Sequence, residues 1–362
     1  MDNKIIKIER DRFIDSLKGI AILGIIAVHS GLGHQPEPLA SLGKFGANSV
    51  QLFFIISAFL GCESLARHPI TNFRGYCKWL LRKVLRIAPL YYIALSFALL
   101  ETAGNGNPYW SGGALSFYNI LSHILFLNGL HPFWINSIMS VEWYIADLMI
   151  LYFVLPVIMK FVNTFDRAGV LVVLSICFAF LFNHSIDRIW GISENEVVRT
   201  FIYNFSFINQ FQVMAFGILL FYGMRYVKYI GKGNGYFVLL MGVYFLIGVM
   251  FNRTLKVTSI YGYLAIGFAL FFIGVKESKC KFIDNKLFSL IGKYSFGIYL
   301  FHYTLIDYMY LRGWLTNGCS LSEYIFKFLL ILLFSFAIAY VCQNGLILFK
   351  NLMGNRGHYE SE

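Results

Sequence analysis

Charge is scarce in this sequence. Asp, Glu, Lys and Arg make up 14% of its 362 residues, whereas soluble domains run nearer about 25%. With 58% hydrophobic residues and a mean hydropathy of +0.63, the chain lacks the charge to cover a water-facing surface, which excludes a soluble fold. Metal-ligand spacing is also missing. The six cysteines (Cys62, Cys77, Cys177, Cys280, Cys319 and Cys342) are scattered in or beside apolar segments and read as small apolar residues, so no metal is expected. There is no Gly-x-Ser-x-Gly elbow, no His-Glu-x-x-His and no phosphate-loop glycine pattern, and each absence removes a common hydrolase or nucleotide-binding class. No repeat, low-complexity tract or soluble appendage stands out, so residues 1–362 are expected to form one membrane domain.

Long apolar runs are what the sequence does have. They lie near 17–32, 47–66, 84–103, 141–162, 168–184, 205–223, 235–252, 259–276, 290–312 and 324–349. Each is long enough to cross a hydrocarbon core about 30 Å thick. The spacing predicts an all-α, polytopic membrane bundle of about ten transmembrane helices. A further apolar stretch, Ser116 to Leu130, holds a His and two Asn and is expected to be a short re-entrant or interfacial helix. The N-terminus resembles a signal peptide with a small-residue site at Pro38-Leu39-Ala40, but the spans that follow make it read as an uncleaved first helix.

The net charge of +11 does not indicate a nucleic-acid partner, because the basic residues fall in short loops between apolar runs. With both termini in the cytosol, 23 of the 30 Lys and Arg residues lie on the cytosolic side. The connection from Gly104 to Ser140 has neither Lys nor Arg. A shift by one span would spoil that asymmetry, so charge supports the ten-span count.

Ionisable groups inside a bilayer are costly and are functional candidates for that reason. Lys18 and His29 are eleven residues apart, which on an α-helix returns to within about 20° of the same face, with an axial separation of roughly 16 Å. One face thus offers a cation at the cytosolic edge and an imidazole deeper in, a layout suited to an elongated anionic ligand. The same spacing fits a packed His with Lys18 as a snorkelling flank. Arg82, Lys83 and Arg86 open the third span, with Lys83 and Arg86 on one face at i, i+3, and suit phosphate as well as they suit membrane topology. Glu142 and Asp147 lie at the outer start of the fourth span, where Glu142 can act on an imidazole or cap the helix. His302, among aromatic residues, fits a catalytic, substrate-binding or structural role. Ser57 has no activating base in view and reads as packing.

Taken together, these segments resemble the acyltransferase 3 family of membrane acyltransferases. Lys18-Gly-x-Ala followed by His29 is similar to the family's basic residue, ten residues, then His. Phe53-Phe-Ile-Ile-Ser-Ala-Phe resembles its Phe-Phe-x-x-Ser-Gly-Phe, and Arg82-Lys-Val-Leu-Arg-Ile-Ala-Pro89 its Arg-x-x-Arg before Ile-x-Pro. Ser140-Val-Glu-Trp143 and Ser295-Phe-Gly-Ile-Tyr-Leu-Phe-His302 match the mid-chain and late signatures. In order and spacing the likeness covers nearly the whole chain. Lys18 and Lys83 stand where Arg is usual, Ala58 replaces Gly, and no hydrolase-like domain follows the last span.

The resemblance implies transfer of an acyl group, preferentially acetyl, from acetyl-CoA to a hydroxyl, less readily an amine, of a cell-surface carbohydrate or glycolipid precursor. Lys18, Arg82, Lys83 and Arg86 are then expected to hold the donor's phosphates. His29, aided by Glu142, serves as general base or as a transient acyl carrier. Asp15, Tyr299 and His302 are expected to bind substrate. The expected setting is the cytoplasmic (inner) membrane of a bacterium, in contact with membrane lipid and polysaccharide-assembly proteins. A secondary transporter is the rival reading, although no internal repeat supports it. A membrane sensor or assembly partner without catalysis is a third.

Overall fold

The computed structural model describes residues 12–105, 115–189, 195–227, 229–253, 259–315 and 320–356. These residues form a helical bundle, with no strand among them. The α-helices are α1 (Arg12–His29), α2 (Leu39–Gly46), α3 (Ser49–Arg67), α4 (Phe73–Asn105), α5 (Phe117–Ile124), α6 (Trp143–Phe161), α7 (Phe165–Ile189), α8 (Glu196–Thr200), α9 (Phe207–Tyr226), α10 (Lys232–Met250), α11 (Ile260–Ser278), α12 (Lys286–Leu311) and α13 (Leu321–Arg356). Side-chain caps set several starts: Ser116 accepts from Asn119 N–H, Ser259 from Gly262 N–H, and Asn285 from Phe288 N–H.

Each of the ten apolar runs falls on one of the longer helices. Eight helical segments, with α2–α3 and α8–α9 each counted as one, are long and apolar enough to cross a membrane. The other two runs are α1 and α12. Both have the length, but α1 carries Arg12, Asp15 and Lys18, and α12 is interrupted by His302 and Asp307. These two helices carry His29 and His302. The protein is a multi-pass helical membrane bundle, and its outer surface fits lipid: α7, α10 and α13 are mostly exposed and present Phe178, Leu181, Leu240 and Leu333. The stretch Ser116 to Leu130 forms α5, an eight-residue helix, and a 3₁₀ turn at Asn128–Leu130. Five of the six cysteines are free; Cys319 lies outside the described residues.

α1 packs along α12, and the two run parallel. Glycine allows their backbones to touch: a Cβ at Gly19 would collide with the carbonyl of Phe288, and one at Gly292 with the carbonyl of Asp15. An ion pair fixes the register at the starts of both helices, with Arg12 Nε donating to Asp284 Oδ1 at 2.8 Å and Nη2 to Oδ2 at 3.1 Å. Ser16 adds hydrogen bonds to the same turn before α12.

Candidate active site

The parallel pairing of α1 and α12 brings Lys18 and Lys293 to one end and His29 and His302 to the other. His29 Nδ1 lies 2.8 Å from His302 Nε2, with the rings within 17° of parallel. His302 Nδ1 is 2.7 Å from the carbonyl oxygen of Tyr299. A carbonyl only accepts, so Nδ1 of His302 carries a proton and donates it. In the neutral ring Nε2 is then bare and accepts the N–H of His29 Nδ1. The chain of donors leaves His29 Nε2 with a free lone pair. His302 is fully buried and His29 half-buried, with the Tyr303 ring edge-on to His29 at 5.1 Å. An imidazole oriented this way by a second group can act as base or nucleophile.

A second buried network lies beyond Tyr299. The Glu142 carboxylate is fully enclosed and accepts from the backbone N–H groups of Ile138 (2.9 Å), Met139 (3.1 Å) and Val141 (3.0 Å), and from His123 Nε2 (3.0 Å). His123 Nδ1 faces the Asn119 carbonyl oxygen at 2.9 Å, so the ring bridges α5 and Glu142. This carboxylate holds a turn in which Ser140 takes the left-handed conformation (φ 61°). The turn presents the Val141 carbonyl, which accepts the Tyr299 hydroxyl at 2.6 Å. Hydrogen bonds and one short run of backbone thus join Glu142 to His29 through Val141, Tyr299 and His302.

A cavity of about 420 Å³ opens at the basic end. Lys18, Lys83, Arg86 and Lys293 line it, and no carboxylate does. Lys83 is buried with its Nζ 5.0 Å from the ring centroids of both Trp79 and Tyr152, which orients the cation without neutralising it. At the other end stand Phe53, Tyr144 and Tyr299, with Tyr144 and Tyr299 edge-to-face at 5.4 Å and the Tyr144 hydroxyl 3.0 Å from Ser57 Oγ. Neither imidazole lines the cavity. Tyr299 is common to both places, since it borders the cavity and packs against His302 at 5.8 Å.

A family model described as an acyltransferase domain matches residues 11–343, which is most of the chain and includes all of these groups. The chain belongs to the acyltransferase 3 family. It is similar as well to a Caenorhabditis elegans protein described as "Regulator of hypoxia-inducible factor 1", at 26% identity over 179 residues, or 43% of this chain and 35% of that protein. The chain thus spans well under two thirds of that relative's length.

In this member of the family the residues singled out from sequence fall into three places. Lys18, Lys83 and Arg86 share the cavity, and Tyr299 stands at its inner end. Arg82, one residue from Lys83, does not line the cavity and is exposed. His29 and His302 form the imidazole pair. Glu142 spends its hydrogen bonds on the 138–141 backbone and His123, and none goes to His29. Asp15 is buried with Lys18 Nζ at 3.4 Å. Asp147 is fully buried, and neither of its carboxylate oxygens has a hydrogen-bond partner among the described residues.

Three residues to which the sequence reading assigned no role belong to this arrangement. Lys293 looks in sequence like any basic residue at a membrane boundary. Tyr144 is one of 23 tyrosines, and only its ring contacts distinguish it. His123 stood out as a polar residue in an apolar stretch, but nothing in the sequence paired it with Glu142. No group of three or more His, Cys, Asp or Glu residues suited to a metal occurs among the described residues.

Proposed function

We propose that this acyltransferase moves an acetyl group from cytosolic acetyl-CoA to a hydroxyl of a cell-surface carbohydrate or its lipid-linked precursor, with His29 as general base. The observation that carries the reading is the separation of parts along α1 and α12: a cation-lined cavity at one end and an oriented imidazole at the other. A coenzyme A thioester has the matching polarity, with phosphates at one end and the reactive carbonyl at the other. Lys18, Lys83 and Arg86 hold the phosphates, and the aromatic rings at the inner end of the cavity receive the thioester. All four cations of the cavity lie in the first half of α1, α4 or α12, and that end is the cytosolic end in this reading, with both termini in the cytosol of a bacterial cell.

Chemistry follows from the tautomer. His29 Nε2 takes the proton of the acceptor hydroxyl as its oxygen attacks the thioester carbonyl. The carbon–sulfur bond then breaks, and the departing thiolate recovers that proton from His29. During the step His302 accepts the His29 Nδ1 hydrogen bond and holds the imidazolium in place. General-base assistance of this kind is worth about 10²–10⁴-fold. Glu142 acts at a distance, by fixing the turn that anchors Tyr299.

The test is transfer of radiolabelled acetyl from acetyl-CoA into the glycan fraction of membranes that contain the protein. Label in glycan supports the reading. No label from acetyl-, propionyl- or butyryl-CoA, together with uptake of a glycan precursor, would replace it with transport.

A further inference from the structure

Five hydroxyls line the cavity, those of Ser57, Tyr144, Tyr152, Ser295 and Tyr299. Two of them are already committed to backbone. Ser295 donates to the Gly292 carbonyl at 2.8 Å, and Tyr299 to the Val141 carbonyl at 2.6 Å. A bond of this kind is the usual fate of a serine hydroxyl inside a helix. Ser175 and Ser335 follow it too, with the carbonyls of Val172 and Ile331 as acceptors. Ser57 and Tyr144 depart from it. Their oxygens lie 3.0 Å apart, and neither has a carbonyl or carboxylate partner among the described residues.

The proton count determines what this pair can do. Two hydroxyls that share one hydrogen bond use one proton and keep one. Direction does not matter, because whichever oxygen accepts still carries an O–H of its own. Tyr152, the other phenol beside Ser57, leaves the count unchanged, since three hydroxyls joined by two bonds also keep one proton. A surplus donor is thus available to the cavity, where Phe53 and Tyr299 pack around the Tyr144 ring. Ring contacts of 5.4 Å and 5.8 Å run from Tyr144 through Tyr299 to His302, so Tyr144 stands at the end of the cavity that adjoins the imidazoles. A neutral donor among apolar rings suits a ligand group that is neutral when it binds and anionic as it reacts.

We infer that the Ser57–Tyr144 pair donates its surplus O–H to the carbonyl oxygen of the bound thioester and stabilises the oxyanion that forms there. The inference rests on the acyltransfer reading above and adds to it the group that faces the developing charge. As the acceptor oxygen bonds to the carbonyl carbon, the carbonyl π electrons move onto oxygen and that hydrogen bond strengthens. They return as the carbon–sulfur bond breaks. The thiolate leaves with the proton held by His29, and both hydroxyl protons stay where they began. Ser57 acts here as a donor and not as a nucleophile.

The test is the infrared difference spectrum of acetyl-CoA labelled with carbon-13 at the thioester carbonyl, bound to the full-length protein without acceptor. Steady-state acetyl transfer is measured beside it. Wild type is compared with Ser57→Ala, Tyr144→Phe and the double variant, and thermal unfolding checks the fold. In wild type the carbonyl band is expected below its position in an apolar solvent, and in the double variant it returns toward that position. The double variant is expected to lose about 10²–10³-fold in kcat with the donor KM unchanged. Each single variant keeps one hydroxyl and loses less. A wild-type band at the apolar-solvent position, with transfer intact, overturns the inference and leaves the acyltransfer reading standing; this spectrum requires no variant to fold. A loss confined to the donor KM overturns it as well, because the pair would then bind ground and transition states alike. Acetyl-CoA that neither binds nor labels any product removes the acyl-donor reading, and the inference with it.

Discussion

His29 Nδ1 and His302 Nε2 are 2.8 Å apart, and that hydrogen bond, together with the Tyr299 carbonyl behind His302, determines which nitrogen of His29 is free. The pair stands nine to eleven residues further along two parallel helices than Lys18 and Lys293. Orientation of a reactive imidazole by a second hydrogen-bonding group recurs in catalytic and metal sites, where losing the second group costs about 10–100-fold.

His302→Ala is accordingly expected to lower kcat for acetyl transfer by about 10–100-fold and to leave the donor KM unchanged. His302→Gln should retain more activity, because its amide oxygen can still accept from His29 Nδ1. Steady-state kinetics on the two variants check this. Equal losses in both would reduce His302 to a packing residue.

Glu142→Gln removes a fully buried carboxylate that meets His123 and weakens the hold on three backbone N–H groups. Breaking one side of a buried pair costs about 3–5 kcal/mol. Thermal unfolding in detergent should show a clear drop in Tm. Adding His123→Asn to Glu142→Gln should cost less than the two single changes summed, since they share one interaction.

Lys83→Met and Arg86→Met are each expected to raise the acyl-donor KM about tenfold, the scale of one charge-assisted hydrogen bond. Arg82→Met should leave it unchanged, because Arg82 lies outside the cavity. Donor titrations on the three variants measure this, and a comparable rise for Arg82→Met would return the effect to general surface charge.

Gly292→Val places side-chain atoms on the Asp15 carbonyl and is expected to separate α1 from α12, with loss of the folded protein. Gly169 on α7 has open space around its Cβ direction, and Gly169→Ala should fold normally. Size-exclusion profiles of the two variants in detergent provide the check.

Much of the scaffold was legible in the sequence, since a helix that crosses a bilayer must be apolar over a set length, and all ten apolar runs coincide with helices. Boundaries shifted where a helix leaves the apolar layer and continues in polar surroundings. The third run reads as 84–103, yet α4 begins at Phe73, because its basic first turns are helical without being hydrophobic. The Lys18–His29 face was legible too, since it depends only on helical spacing within one segment. Contact between His29 and His302 was not, since it joins residues 273 apart and depends on the backbone approach at Gly19 and Gly292. For Glu142 the sequence left open an action on imidazole. The imidazole it meets is His123, which lies in the connection before α6.

The most direct test of the central claim is acetyl transfer by wild type and His29→Ala, matched for expression and folding. Radiolabelled acetyl-CoA is the donor, and both the glycan and protein fractions are counted. With His29 as the general base, label in glycan falls by about 10²–10⁴-fold in His29→Ala, and no acyl-protein accumulates in either sample. Transfer undiminished in His29→Ala would contradict the account and move the chemistry away from the imidazole pair. Acyl-protein found in wild type and lost in His29→Ala would keep the site but make His29 a covalent carrier.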